Sequence, residues 1–179
     1  MRIIGGSHKG LRLSPPRNLP VRPTTDKAKE ALFNLLQHRI HLAEIAALDL
    51  FSGTGSISFE LASRGAGRVV SVEKNYHGYR FIKETAVKLG LEQIQPVRAN
   101  VFAFLKGCQD SFDLIFADPP FDMDRIGTIP SLILDQNLLA PDGILILEHP
   151  TSYRLPESPK PDEIRKYGHA SFAIYTIIS

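Results

Sequence analysis

The sequence has little cysteine and no long hydrophobic run, and both absences narrow the class of protein. Cys108 is the single cysteine, so no internal disulfide can form. No apolar stretch approaches the roughly 20 residues of a membrane-spanning helix, and Met1 to Gly6 lack the apolar core of a signal peptide. The six histidines show no ligand spacing with Cys108, so no metal is predicted. We expect a cytoplasmic protein.

The residues that are present indicate one globular domain with an uneven charge. Its 179 residues, 43% hydrophobic and 22% charged, are enough to bury a core. Residues 1–29 carry seven lysines or arginines and one acid, whereas the remainder carries fourteen basic and eighteen acidic side chains. We therefore predict a basic arm at residues 1–24 and a main domain at residues 25–179.

A basic arm favours an anionic partner, and nucleic acid is the first candidate. The alternative is a terminus that is merely solvated. Arginine outnumbers lysine along the arm, which favours phosphate contacts. The predicted RNA-binding residues are Arg2, Lys9, Arg12, Arg17 and Arg22.

Hydrophobic patterns predict that strands and helices alternate along most of the chain. Five strands are expected at 45–51, 68–72, 94–99, 112–117 and 144–148, the last following a turn at 141–143. Helices are expected from Asp26 and at 56–63, 75–89, 101–107 and 129–138. Such alternation indicates a parallel sheet covered on both faces. Strands at 164–167 and 172–178 predict an antiparallel hairpin at one edge, and residues 2–13 a small hairpin or irregular arm.

The most informative motif is Asp118-Pro119-Pro120-Phe121, which follows the fourth predicted strand. Proline cannot donate to a strand ladder, and two in a row hold the chain extended, so the Pro119 carbonyl is predicted to stay unpaired beside the Asp118 carboxylate. Two acceptors next to the Phe121 ring suit a planar ring that carries an exocyclic amino group, such as a nucleobase. The alternative is a simple strand stop.

A second motif, Asp49-Leu50-Phe51-Ser52-Gly53-Thr54-Gly55, ends the first predicted strand. Glycines let the backbone approach a ligand closely, and ligands of open α/β sheets bind at the carboxyl ends of strands. Glu73 ends the next strand, about 20 residues after Gly53, where a carboxylate can hold the two hydroxyls of a ribose. The cofactor is therefore predicted to contain a nucleoside.

A nicotinamide dinucleotide is the first rival cofactor. Its fingerprint needs a third glycine where this chain has Ser58, and Asp49 would repel a pyrophosphate. Asp49 suits a cofactor with an ammonium group, which favours S-adenosylmethionine; a capping role for Asp49 is the alternative. Asn100 is expected to accept a hydrogen bond from the adenine amino group, unless it is an ordinary turn residue. The predicted cofactor-binding residues are Asp49, Phe51, Gly53, Gly55, Glu73, Asn100, Val101 and Asp118.

Over nearly its whole length the chain resembles the RsmD-type guanine-N2 methyltransferases of bacterial small-subunit (16S) ribosomal RNA. The resemblance is carried by the segments Arg2 to Gly6, Arg22 to Asp26, Leu48 to Gly55, Ser63 to Ala66, Asp118 to Phe121 and Tyr167-Gly168. One segment departs from the family pattern, because Ser56-Ile57-Ser58 stands where Ala-Leu-Gly is more usual. We expect this change to alter packing behind the glycine loop and not the choice of cofactor.

The resemblance implies a Rossmann-like class I S-adenosylmethionine-dependent fold, with a seven-stranded, mostly parallel sheet and an antiparallel C-terminal hairpin. It also implies an enzyme that methylates the N2 amino group of one guanine in small-subunit rRNA, within an assembling or assembled subunit. A monomer is the default expectation. In our hypothesis Asp118 and the Pro119 carbonyl hold the amine, Pro120 completes the turn, and Phe121 stacks on a base that has left its helix.

Three alternatives stay open. An adenine-N6 methyltransferase of DNA or RNA would use the same kind of Asp-Pro-Pro-aromatic motif, although such enzymes usually need an added recognition domain. A protein-glutamine methyltransferase would more typically carry Asn at position 118. A non-catalytic module that binds RNA or S-adenosylmethionine has no need of the acceptor pair. Glu148 and His149, at the end of the fifth strand, are interpreted as strand-end polar residues.

Overall fold

In the computed structural model, which describes residues 1–178, seven strands form one sheet. In chain order the strands are β1 (Ala46–Leu50), β2 (Arg68–Glu73), β3 (Ile94–Arg98), β4 (Phe112–Ala117), β5 (Leu139–Pro150), β6 (Glu163–Tyr167) and β7 (Ala170–Thr176). The helices are α1 (Asp26–Gln37), α2 (Ser56–Ser63), α3 (Tyr76–Leu89), α4 (Val101–Gly107) and α5 (Ile129–Asp135). The predicted class, a mostly parallel sheet with an antiparallel C-terminal hairpin, is confirmed.

The strand order determines where the loops after β1 and β4 meet. The order is β3-β2-β1-β4-β5-β7-β6, with β1 to β5 parallel and β7 antiparallel to both of its neighbours. After β1 the chain adds β2 and β3 on one side of the sheet, and after β4 it adds the remaining strands on the other side. A crevice opens where the order reverses, at the carboxyl ends of β1 and β4. The loops after these two strands therefore meet at one place.

Buried strands hold the carboxyl ends of β1 and β4 in position. All residues of β4 except Asp113 are buried, and β1 is buried from Ala47 onward. One apolar cluster joins the sheet to α1, α2 and α3, and a second joins it to α4 and α5. Because apolar burial on both faces stabilises the central strands, their carboxyl ends form a rigid platform. Among residues 1–178 no helix is long and apolar enough to cross a membrane.

The N-terminal arm is irregular, one of the two forms expected for it. It has one antiparallel bridge, between Arg2 and Arg12, and a 3-10 turn at Gly6–His8. Ile3 is only 1% exposed and belongs to the apolar cluster of α1 and α2. The first residues of the arm are thus part of the folded core, although the division at residue 24 was predicted as a boundary.

A buried ion pair fastens the arm to the main domain. Lys29 of α1 lies 3.4 Å from Glu60 of α2, and the two side chains are 1% and 0% exposed. The Lys29 ammonium also donates to the Arg2 carbonyl and to Ser56 Oγ, and the Ile4 N–H donates to Glu60 at 3.0 Å. Burial lowers the pKa of Lys29, and the Glu60 carboxylate opposes that shift. The pair therefore sets where the arm leaves the domain.

Several element boundaries differ from the expectation, chiefly those of β5 and α5. The turn expected at 141–143 lies inside β5, where the register with β4 shifts and Asp142 has a positive φ of 60°. At its other end β5 continues to Pro150, because β7 pairs with it from Thr176 back to Ala170. The helix expected at 129–138 ends at Asp135, just before Asn137 at φ 54°.

Substitution of the buried pair should affect stability asymmetrically. Glu60→Leu leaves the Lys29 ammonium buried without its carboxylate, so we expect a loss of about 3–5 kcal/mol in the free energy of unfolding. Lys29→Met should cost less, because Arg64 still pairs with Glu60 at 2.9 Å. The double variant should lose less than the sum of the two single variants. Urea unfolding of all four proteins measures this coupling.

The matched control is the exposed i,i+4 pair of α3, Arg80 and Glu84. Glu84→Leu should change the free energy of unfolding by less than about 1 kcal/mol. Strict additivity at Lys29 and Glu60 would show that the pair does not hold the arm in place.

Candidate active site

A cavity of about 720 Å³ opens at the carboxyl edge of the sheet. Its walls come from the arm, from the loops after β1 and β4, and from the ends of β2 and β3. The structure brings most of the predicted site residues into this cavity. They are Phe51, Gly53, Glu73, Asn100, Val101, Asp118, Pro119, Pro120 and Phe121, joined by Arg22 from the predicted RNA-binding set.

The glycine loop after β1 requires conformations that few side chains adopt. Gly55 has φ 79°, and a Cβ there would lie 2.8 Å from Ile82 Cγ1 and 2.9 Å from Phe59 Cε2. Phe51 has φ 59°, which is an outlier for a bulky residue. Strained backbone of this kind collects at functional sites. The loop is therefore shaped for a ligand at the cost of local strain.

Asp49 was expected to bind the cofactor, but its side chain does not face the cavity. It is 2% exposed, and its Oδ2 accepts hydrogen bonds from the Ser58 N–H at 3.1 Å and from Ser58 Oγ at 2.5 Å. Ser58 Oγ also lies 2.6 Å from Ser71 Oγ. Burial raises the pKa of Asp49 to about 7, opposed by the bonds from Ser58. In this structure the carboxylate caps the first turn of α2, the alternative considered for it, and Ser58 occupies the space behind the loop.

Glu73 lies at the end of β2 with its carboxylate already oriented. Oε2 accepts from the Gly53 N–H at 2.8 Å and Oε1 from the Asn75 N–H at 2.7 Å. Each oxygen keeps a further lone pair for a ligand hydroxyl. Gly78 makes the approach possible, since a Cβ there would lie 2.8 Å from the Gly53 carbonyl and 3.1 Å from Glu73 Cγ. A glycine in the first turn of a predicted helix was the overlooked signal for this contact.

Asn100 has a different hydrogen bond from the one expected. Its Oδ1 accepts from the N–H groups of Phe102 at 2.9 Å and Ala103 at 3.3 Å, so it caps α4. The oxygen expected to accept from an adenine amino group is therefore already engaged. Asn100 and Val101 still line the cavity, and the N–H groups of the first helical turn have no partner within the helix.

The most unexpected feature of the site is Arg22. This residue was predicted to bind RNA phosphates, but its Nη2 donates to Asp118 Oδ1 at 3.2 Å and to Glu148 Oε1 at 2.8 Å. Its Cζ lies 3.6 Å from the centroid of the Phe121 ring, a stacked cation–π arrangement. The guanidinium thus connects the arm with the loop after β4 and with β5. Glu148, interpreted from sequence as a strand-end residue, is part of this cluster.

A half-buried carboxylate, Asp118, and a buried one, Glu148, give the cluster an unusual electrostatic character. Burial raises the pKa of Asp118 to about 6, opposed by the Arg22 charge. Burial and the charge of Asp118 raise the pKa of Glu148 to about 8, again opposed by Arg22. Perturbed carboxyl groups that converge on a cavity are typical of functional sites. Because Asp118 and Glu148 lie close together, their carboxylates require N–H donors or a positive charge beside them.

The other predicted RNA-binding residues lie outside the cavity. Arg2 pairs with Asp26 at 2.9 Å and is partly exposed. Lys9, Arg12 and Arg17 are exposed on the arm. In the described part of the chain, no three His, Cys, Asp or Glu side chains are grouped so as to hold a metal ion.

Curated sequences and solved structures resemble this chain over most of its length. A putative rRNA methyltransferase of Bacillus subtilis, YlbH, is 32% identical over 88% of this chain and 87% of its own. Ribosomal RNA small subunit methyltransferase D of Haemophilus influenzae is 35% identical over 83% of this chain and 78% of its own. A solved putative methyltransferase of Escherichia coli, yhhF, has a TM-score of 0.86 at 26% identity and covers 100% of this chain and 98% of its own.

More distant structures share the fold. An RNA methyltransferase of Salinibacter ruber, solved with S-adenosyl-L-homocysteine, has a TM-score of 0.67 at 15% identity and covers 88% of this chain and 95% of its own. A family model described as "Conserved hypothetical protein 95" matches residues 1–176. Together with the relatives of at least 30% identity, this match shows that the chain belongs to the RsmD family of ribosomal RNA small-subunit methyltransferases.

Proposed function

We propose that this protein transfers a methyl group from S-adenosylmethionine to the exocyclic N2 amino group of one guanine in small-subunit rRNA. Family membership supports an S-adenosylmethionine-dependent rRNA methyltransferase. The observation that carries the proposal is the cluster at the cavity, where the Arg22 guanidinium lies over Phe121 and its Nη2 donates to the Asp118 carboxylate. A target amine on a nucleobase needs the same two features, an aromatic ring to stack on and a carboxylate that accepts its N–H.

The loops after β1 and β2 fit the cofactor. Glu73, already oriented by the Gly53 N–H, would hold the ribose hydroxyls, and the close approach at Gly78 keeps this carboxylate near the loop. Phe51 and Val101 supply apolar wall. The N–H groups of Phe102 and Ala103 are bound to Asn100, so the Val101 N–H is the donor at the start of α4 that a base could use. S-adenosylmethionine supplies an electrophilic methyl group on a sulfonium centre.

The loop after β4 would position the amine. The lone pair of an exocyclic guanine amine is delocalised into the ring, so the amine must be oriented before it can attack. In our proposal Asp118 and the Pro119 carbonyl accept its two N–H bonds and direct the lone pair toward the methyl group. Phe121 stacks on the base. Asp118 is also placed to take the proton that the amine releases.

Replacement of Asp118 tests this role. Asp118→Ala removes the acceptor, and we expect methyl transfer to fall by about 100- to 10,000-fold. The affinity for S-adenosylmethionine should change much less, because Glu73 and the glycine loop remain. Single-turnover transfer and calorimetric cofactor binding measure the two quantities separately. Asp122→Ala, an exposed carboxylate of the same loop, is the control and should retain activity; near-normal turnover in Asp118→Ala would refute the assignment.

The arm's role in RNA binding is best tested by substitution. Deletion of the arm would remove Ile3, which is buried in the core. The triple variant Lys9→Gln, Arg12→Gln, Arg17→Gln keeps the fold and removes three exposed charges. If each contacts one phosphate, the slope of log affinity against log salt should fall by roughly 2 to 3. A control triple variant at the exposed Lys83, Lys88 and Lys166 should leave the slope unchanged. Equal slopes in both variants would contradict the phosphate contacts.

The identity of the amine is tested on the RNA itself. In a strain that lacks this protein, mass spectrometry of nucleosides from small-subunit rRNA should show the loss of one N2-methylguanosine. Complementation with the wild-type gene should restore it, and complementation with Asp118→Ala should not. Loss of an N6-methyladenine would instead support the adenine alternative, and an unchanged profile would support a non-catalytic binding module.

A further inference from the structure

A planar amino nitrogen lies between two carboxylates in this cavity. Arg22 Nη2 is 2.8 Å from Glu148 Oε1 and 3.2 Å from Asp118 Oδ1, while its guanidinium stacks on Phe121. A nucleobase edge offers the same chemistry, namely N–H donors in the plane of a flat, conjugated group. Arg22 therefore shows which kind of group this part of the cavity accepts, and the proposed target base would have to displace it.

Pairing within the sheet places Glu148 beside Asp118. Strands β4 and β5 are parallel, and Ala117 pairs with Leu147, so the residues that follow them are neighbours in register. Glu148 also pairs with Phe172 of β7, which fixes its backbone. Its side chain is 8% exposed. A carboxylate held this firmly is a fixed recognition element and not a mobile surface group.

The number of acceptors at the site exceeds what one amino group needs. In the proposed function Asp118 and the Pro119 carbonyl accept both N–H bonds of the target amine. Glu148 adds a third acceptor, and the Glu148 and Asp118 oxygens are no more than about 6 Å apart because both bind the same nitrogen. The edge of guanine has three N–H bonds, two at N2 and one at N1. The edge of adenine has two, beside an N1 lone pair that a carboxylate would repel.

We propose that Glu148 accepts the N1–H of the target guanine and thereby selects guanine over bases whose N1 is unprotonated. The inference rests on the proposed function and adds a specificity-determining residue to it. A buried acceptor that loses its donor strongly disfavours the wrong ligand. Glu148 as a simple anchor for Arg22 is the competing role, and in that role it would not distinguish one base from another.

A base analogue separates the two roles. 2-Aminopurine keeps the N2 amino group of guanine, has a lone pair in place of N1–H and lacks O6, so the change in discrimination on substitution of Glu148 is what reports on N1. Once the modified position has been mapped, small subunits can be reconstituted with rRNA ligated to carry guanine or 2-aminopurine there. The readout is the ratio of kcat/KM for the two substrates, measured at about pH 8.5, where Glu148, whose pKa is raised to about 8, is mostly ionised and guanine keeps its N1–H.

The wild-type protein should prefer guanine by about 10- to 100-fold, the discrimination expected from one hydrogen bond to a charged acceptor. In Glu148→Gln the introduced amide can donate to the N1 lone pair, so the ratio should fall at least about tenfold. Glu148→Asp keeps the carboxylate and should preserve the preference for guanine, even if both rates decline. Cofactor binding and thermal unfolding verify that each variant is folded.

The outcomes are distinct. Equal losses on both substrates in Glu148→Gln, with the ratio unchanged, would overturn the inference and leave Glu148 as a positioning residue for Arg22. A wild-type protein that methylates both substrates equally would also overturn it while leaving the proposed function intact. No methylation of guanine in wild-type assays would refute the proposed function itself.

Discussion

Two neighbouring carboxylates at the ends of adjacent strands, one half-buried and one buried, set the requirement that the rest of the site meets. Asp118 and Glu148 raise each other's cost of ionisation, so N–H donors must lie between them. Arg22 meets the requirement, although 96 residues of sequence separate it from Asp118. It can do so because the Lys29–Glu60 pair anchors the arm at its base. A buried ion pair of the core thus fixes the arm segment that reaches the candidate site.

The cofactor side of the cavity depends on a second set of buried polar contacts. Asp49 holds Ser58 at the start of α2, and Glu73 holds the Gly53 N–H. Both carboxylates are bound by the protein itself, so the loop is ordered before any ligand arrives. Pre-organisation of this kind lowers the entropy that a ligand must lose on binding. It also explains how the loop keeps Phe51 in a strained conformation.

The sequence predicted what depends on local pattern and missed what depends on contacts between distant segments. The strands, the glycine loop and the Asp118 to Phe121 turn follow from periodicity and from proline and glycine chemistry, and their places in the sheet match. Asp49 and Asn100 were correctly placed at strand ends. The capping bond of Asp49 was only an alternative, and the helix cap formed by Asn100 was not predicted, because spacing does not reveal side-chain orientation. Arg22 and Glu148 were undervalued because only the strand register and the path of the arm bring them together.

The arm illustrates why net charge is an incomplete guide to function. Of its five predicted RNA-binding residues, Arg2 is paired with Asp26 and Arg22 with two carboxylates. Lys9, Arg12 and Arg17 remain exposed for phosphate contacts. One segment thus carries exposed charges and also places a guanidinium over Phe121. If a base displaced that guanidinium, Arg22 would be free to bind a phosphate, so base entry and phosphate binding would be coupled through one residue.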